Sequence, residues 1–126
     1  MKAEEGYSTS VAAAKAGVSV HQLRIYVQLG LVAPCKMTSG GRGQYNLACV
    51  ERLRLIHAAV QSGLLLGELK GFFQALDKGS CRALQQQQAT LIARLAARHQ
   101  TVQTCQALLS RLVDREAVKH PLEEAP

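Results

Sequence analysis

The 126-residue chain carries 15 Lys and Arg against 9 Asp and Glu, a formal net charge of +6, and 48% of its residues are hydrophobic. That length suits one small domain with an appendage, the apolar content excludes a wholly disordered chain, and the charge favours a polyanionic partner, either nucleic acid or an acidic membrane surface. No apolar run reaches the length of a membrane span, and Met1-Lys2-Ala3-Glu4-Glu5 lacks the apolar core of a secretory signal. No membrane partner is therefore expected, and a cytoplasmic, nucleoid-associated location is.

Residues 1–6 read as a charged lead-in, and Tyr7-Ser8-Thr9 as a brief extended entry to a first helix over Ser10–Ala16. After the turn Gly17-Val18-Ser19, a second helix begins at Val20. Ser19 can cap it, Gln22 stands three residues later to close a capping box, and Gly30 can adopt the left-handed conformation that ends it. Val20, Leu23 and Val27 fall on one face.

Two short helices around a Gly-containing turn, residues 10–29, form a helix-turn-helix, whose second helix enters the DNA major groove with its N-terminal side chains toward base edges. The candidate DNA contacts are Ser19, His21, Gln22, Arg24 and, one turn on, Tyr26. An ordinary helical corner in a small core is the alternative reading of this stretch.

Residues 31–45 have the character of a wing. Pro34 disfavours helix at Ala33, Thr38-Ser39-Gly40-Gly41 makes a turn, and Arg42-Gly43-Gln44-Tyr45 returns the chain. Lys36 and Arg42 flank this hairpin and Tyr45 closes it, a disposition suited to holding phosphates rather than reading bases. A glycine-rich surface loop with incidental charge is the competing reading.

Asn46 can cap the next helix, Leu47 to about Val60, with Val50, Leu53, Ile56 and His57 on one face. His57 there reads as a packed or half-exposed side chain rather than a ligand. Beyond the break at Gly63, the segment 66–76 contains two glycines and depends on packing Leu69, Phe72, Phe73 and Leu76 into the core. The DNA-binding head therefore spans residues 7–77.

From Ser80 there is no Gly and no Pro until Pro121, which describes one long helix ending near Asp114 to Ala117 and, after it, a flexible tail over 115–126. Alternating steps of four and three along residues 80–114 pass through Leu84, Leu91, Leu95, Val102, Cys105, Leu109 and Leu112, interrupted by Gln88 and Arg98. At about 1.5 Å per residue such a helix extends roughly 50 Å, more than a small head can bury, so its seam calls for a second copy of the chain. Folding back as a bundle is the alternative.

Cys35, Cys49, Cys81 and Cys105 are widely spaced without a C-x-x-C pair, so neither a zinc site nor a disulfide framework is expected, and no cofactor is. No Ser-His-Asp, carboxylate-pair or phosphate-loop spacing points to an enzyme.

The order of these parts resembles the MerR family of transcription regulators over about residues 7 to 114. Leu23-Arg24-Ile25-Tyr26 followed by Gly30-Leu31 is similar to its Leu-Arg-Tyr-Tyr and Gly-Leu signature. The Gly-Gly wing closed by Tyr45, the helix Val50-Glu51-Arg52-Leu53-Arg54-Leu55-Ile56, and Asp77-Lys78-Gly79-Ser80-Cys81 ahead of the last helix follow in the family's order.

The resemblance implies a mainly α fold: a winged helix-turn-helix head followed by a long C-terminal dimerisation helix in an antiparallel coiled coil. It also implies a homodimer that binds double-stranded operator DNA and distorts it, with RNA polymerase or a related activator as further partners.

Two departures stand out. The family's wing usually carries Arg where this chain has Gly43, with Arg42 displaced by one. Mercury-sensing members have further cysteines after the dimer helix, whereas here none follows Cys105. Cys81 sits where such members place a thiol, and only His120 of the partner subunit could join it, so no metal site is expected. This combination resembles the family's small secondary regulators of mercury-resistance operons, which turn expression down. A ligand-responsive activator of the same fold, or an interaction protein acting through coiled-coil pairing with a related regulator, are the other functions the sequence allows.

Overall fold

Ser8 begins the first helix: its Oγ accepts from the Val11 N–H at 3.3 Å, and α1 runs Thr9–Ala16. The computed structural model describes residues 6–119, so the lead-in before Gly6 and the tail from His120 onward lie outside the described residues. Along the rest of the chain follow α2 (Val20–Gln28), β1 (Lys36–Met37), β2 (Gly43–Gln44), α3 (Leu47–Gln61), α4 (Leu66–Lys78) and α5 (Cys81–Lys119).

Local chemistry sets most of the boundaries. Ser19 and Gln22 form the reciprocal capping box, with Ser19 Oγ accepting from the Gln22 N–H at 3.0 Å and Gln22 Oε1 from the Ser19 N–H at 2.9 Å. Gly30, at φ +78°, lets the Leu31 N–H return to the Tyr26 carbonyl at 3.0 Å. Asn46 Oδ1 accepts from the Cys49 N–H at 3.0 Å to start α3, and Ser80 Oγ from the Ala83 N–H at 3.3 Å to start α5. The wing is a two-stranded antiparallel sheet pairing Lys36 with Gln44 and Met37 with Gly43. Tyr7 and Tyr45 bridge beside it through paired backbone hydrogen bonds of 2.7 and 2.9 Å, which ties the entry of the chain to the exit of the wing.

The core of the head lies where α1 and α4 pack on α3 and α2 packs on α1, around Leu23, Val50, Leu53, Ile56 and Leu69. Ala12, Ala13 and Ala16 are buried on α1, and their small side chains let that helix approach α3 closely. Two expectations are corrected here. Leu69 and Phe73 are buried, but Leu76 is 40% exposed and Phe72 only half buried, because α3 covers one narrow face of α4. On α2 the buried pair is Leu23 and Tyr26, with Val20 and Val27 only half buried.

The chain divides into two compact units, Met1–Gln87 and Gln88–Pro126, so the first turns of α5 belong with the head. Gly71 of α4 admits the Gln87 side chain, whose Oε1 would lie 2.9 Å from an added Cβ. The long helix continues to Lys119, so residues 115–119, read from sequence as tail, are helical. No helix among the described residues is long and apolar enough to cross a membrane.

Candidate nucleic-acid interface

One open cleft of about 510 Å³ gathers three separate elements: Ser8, Thr9 and Ser10 from the start of α1, Val20 and Arg24 from α2, and Gly41, Arg42, Gly43 and Tyr45 from the wing. The helix-turn-helix puts the start of α2 beside the start of α1. The Tyr7–Tyr45 bridge then draws the wing against the same opening. Arg24 and Arg42 are both exposed there, and the α1 N-terminus contributes backbone N–H groups and the positive end of its dipole. Such a cleft can hold a polyanionic backbone, the arginines by charge-assisted hydrogen bonds and the serines by neutral ones.

The predicted contacts divide. Arg24, Arg42 and Tyr45 come together in the cleft. His21 is exposed on the first turn of α2, and Lys36 is exposed on β1, neither lining the cleft. Ser19 and Gln22 are occupied by their capping box, so their first task is to build the helix start rather than to reach out. Tyr26 is a correction: at 5% exposure it is a core side chain, because it lies one turn beyond Leu23 on the buried face of α2. Tyr45 is also only 5% exposed, so it shapes the cleft wall more than it offers a free surface.

Ser8, Thr9 and Ser10 also line the cleft, although the sequence does not single them out. The available signal was the helix-starting serine before an Ala-rich run, which marks a helix N-terminus without saying what faces it.

The wing accounts for Gly43. A Cβ there would lie 3.1 Å from Pro34 Cβ and 3.2 Å from the Tyr45 hydroxyl, tighter than ordinary side-chain contact. The basic residue instead stands one place earlier, where the Arg42 N–H donates to Thr38 Oγ1 at 3.1 Å and its carbonyl accepts from the Thr38 N–H at 2.8 Å. Gly41, at φ +80°, makes that turn.

A second surface lies on α5. Val102, Leu109 and Leu112 are 53%, 59% and 57% exposed and Cys105 is exposed, while Leu95 is partly buried. Ile92, Leu108 and Val113 add exposed apolar area. Leu91, read as a seam residue, is corrected: it is 8% exposed within the single chain, and Leu84 is half buried in the first unit.

Among the described residues no three His, Cys, Asp or Glu side chains converge as a metal site. Cys81 and Cys105 are both exposed and stand 24 residues apart on one continuous helix, roughly 36 Å along its axis. Pairing of Cys81 with His120 lies outside the described residues. Cys49, by contrast, is buried, with its thiol directed to the Ala33 carbonyl at 3.2 Å.

A winged helix-turn-helix with a basic cleft between α2 and the wing is the architecture of a DNA-binding transcription regulator. The profile of the MerR HTH family regulatory protein matches residues 7–76, and the chain belongs to that family. It is 37% identical over 119 residues to the HTH-type transcriptional regulator MerD of Shigella flexneri, covering 94% of this chain and 92% of that one. To MerD of Serratia marcescens it is 40% identical over 85 residues, 68% of this chain and 70% of the relative.

Among solved structures, HiNmlR, a MerR family regulator lacking the sensor domain and bound to promoter DNA, is similar in fold. Its TM-score is 0.76 at 18% identity, with 92% of this chain and 95% of that chain covered. PbrR691 of Ralstonia metallidurans, solved in complex with lead(II), matches at a TM-score of 0.56 and 19% identity over 86% of each chain.

Proposed function

We propose that this protein is a dimeric co-regulator that binds the operator of a mercury-resistance operon, shared with a primary activator, and lowers expression from it. The observation that carries this reading is the likeness to MerD across 92% of that relative's length, together with the basic cleft between α2 and the wing. In this reading Arg24 and His21 address the major groove, Arg42 and Lys36 hold flanking phosphates, and the start of α1 with Ser8 and Ser10 receives a further phosphate. Val102, Cys105, Leu109 and Leu112, flanked by Leu95, form the dimer seam. Two heads are thereby presented to two related half-sites. RNA polymerase and the primary activator are the protein partners on the same promoter.

Arg24→Ala tests the cleft. Specific binding is expected to weaken by about 1–3 kcal/mol if Arg24 reads a base edge, and the salt slope to fall by about one if it holds a phosphate. The measurement is a footprint titration on a mercury-resistance operator at several salt concentrations, with and without the primary activator. Affinity and slope both equal to those of the unaltered protein, with the helical circular dichroism retained, would exclude Arg24 from the interface.

The scattered thiols lead to a second expectation: the protein does not hold mercury(II) by itself. A soft metal needs converging thiolates, and a single exposed Cys81 gives binding that free thiols strip away. In a mercury titration with excess competing thiol, metal is expected to leave the protein and operator binding to stay unchanged. Retention of one ion per dimer, abolished by Cys81→Ala, would place the protein among metal sensors.

A further inference from the structure

Two guanidinium groups of α3 hold backbone carbonyls where the chain leaves the two helix-turn-helix helices. Arg54 donates from Nε and Nη2 to the Lys15 carbonyl in the last turn of α1, at 3.2 and 3.1 Å. Arg52 donates from Nη1 to the Leu31 carbonyl at 3.2 Å, where the chain leaves α2. The Lys15 carbonyl lies at the negative end of α1, where a cation is favoured, and the Leu31 carbonyl lies just past the turn that ends α2.

Arg52 has two further neighbours. Its Nη2 pairs with the Asp77 carboxylate in the last turn of α4, and its guanidinium lies 4.9 Å from the centre of the Phe73 ring. The Arg52 side chain is only 21% exposed, so its charge depends on these partners more than a surface arginine would. Asp77 stands two residues before Gly79, whose φ of +72° ends α4 and turns the chain toward α5. One side chain therefore spans from the exit of α2 to the junction at which the long helix starts.

We propose that Arg52 is a positioning residue for DNA binding: by joining the Leu31 carbonyl to Asp77 it fixes how α2 is presented, and makes that presentation depend on the α4–α5 junction. This rests on reading α2 as the recognition helix. The planar fork of Arg can serve two acceptors on different elements, whereas the single ammonium of Lys serves one of them at a time. Arg52→Lys therefore retains a cation over Phe73 while cutting the link.

Two readouts separate the possibilities. The first is amide hydrogen exchange in the DNA-free protein at Gly30 and Leu31, whose N–H groups bond the Val27 and Tyr26 carbonyls. The second is affinity for a duplex that the unaltered protein selects from a random-sequence pool. Arg52→Lys is expected to speed exchange at these amides and to weaken binding, each by about ten-fold, the scale of one hydrogen bond to a charged group. Exchange within α3 stays as it was.

Asp77→Asn acts in the same direction. Added to Arg52→Lys it produces no further loss, since the link is already cut. Unchanged exchange at Gly30 and Leu31, or faster exchange with unchanged affinity, would overturn the proposal, as would weaker binding without the local change in exchange. If the unaltered protein selects no duplex, the DNA-binding reading fails. The positioning role falls with it, and the exchange data then report only whether Arg52 braces the α2 exit.

Discussion

Replacing Leu109 and Leu112 together by Asp is expected to leave a monomer under conditions where the unaltered protein sediments as a dimer. Both side chains are more than half exposed in the single chain, at 59% and 57%, so neither contributes much to the stability of one copy. In a dimer seam each carboxylate would be desolvated without a partner, at a cost of about 3 kcal/mol per site, or roughly 100-fold in dimer affinity. DNA binding is expected to fall in parallel, because a single head engages one half-site only. The choice of positions matters: Leu91 shares the apolar repeat but is buried within the single chain, so a charge there would damage the protomer itself. Sedimentation velocity on both proteins checks the result, and an unaltered protein that runs as a monomer would defeat the dimer proposal.

Leu53→Ala is expected to cost about 2–5 kcal/mol of stability, the range for removing a fully buried leucine without collapse of the cavity. Leu53 has no exposed surface and sits on α3, the helix against which α1 and α4 both pack. A domain of this size has about 5–15 kcal/mol in total, so the variant is expected to be partly unfolded well below the temperature at which the parent melts. Leu65→Ala serves as the comparison, since Leu65 is 68% exposed and its loss is expected to change stability by under about 0.5 kcal/mol. Urea unfolding of both variants, read by circular dichroism, measures the difference. A midpoint for Leu53→Ala within error of the parent would remove Leu53 from the centre of the core.

Much of the fold was legible because its punctuation is local. Ser19 with Gln22, Asn46 with Cys49 and Ser80 with Ala83 are hydrogen bonds between residues three apart, and Gly30, Gly41 and Gly79 each provide a positive φ at a helix end or turn. Such bonds are available to the chain whatever surrounds it. Periodicity carried the next level, the existence of an apolar face on α3 and of exposed apolar side chains along α5.

The width of a buried face was not legible in the same way. A helical repeat marks a stripe, but the neighbouring element decides how much of the stripe is covered. Hence Leu76 stays exposed, Tyr26 goes inside, and Leu91 is buried while Leu109, about five helical turns on, is not.

The cleft needed the tertiary structure most. Arg24 was readable from its place on the second helix of the helix-turn-helix, whereas Ser8 and Ser10 line the cleft only because the Tyr7–Tyr45 bridge closes the wing against the start of α1. Arg52 and Arg54 carry no local signal of their contacts, yet they reach carbonyls 21 and 39 residues away. Sequence by itself determined where most of the helices start and which family of regulators the chain resembles, because capping, turn and repeat signals act within a few residues. Which side chains meet across the head was decided by tertiary packing, since contacts between distant residues exist only after the helices have docked and one face of each has been withdrawn from water.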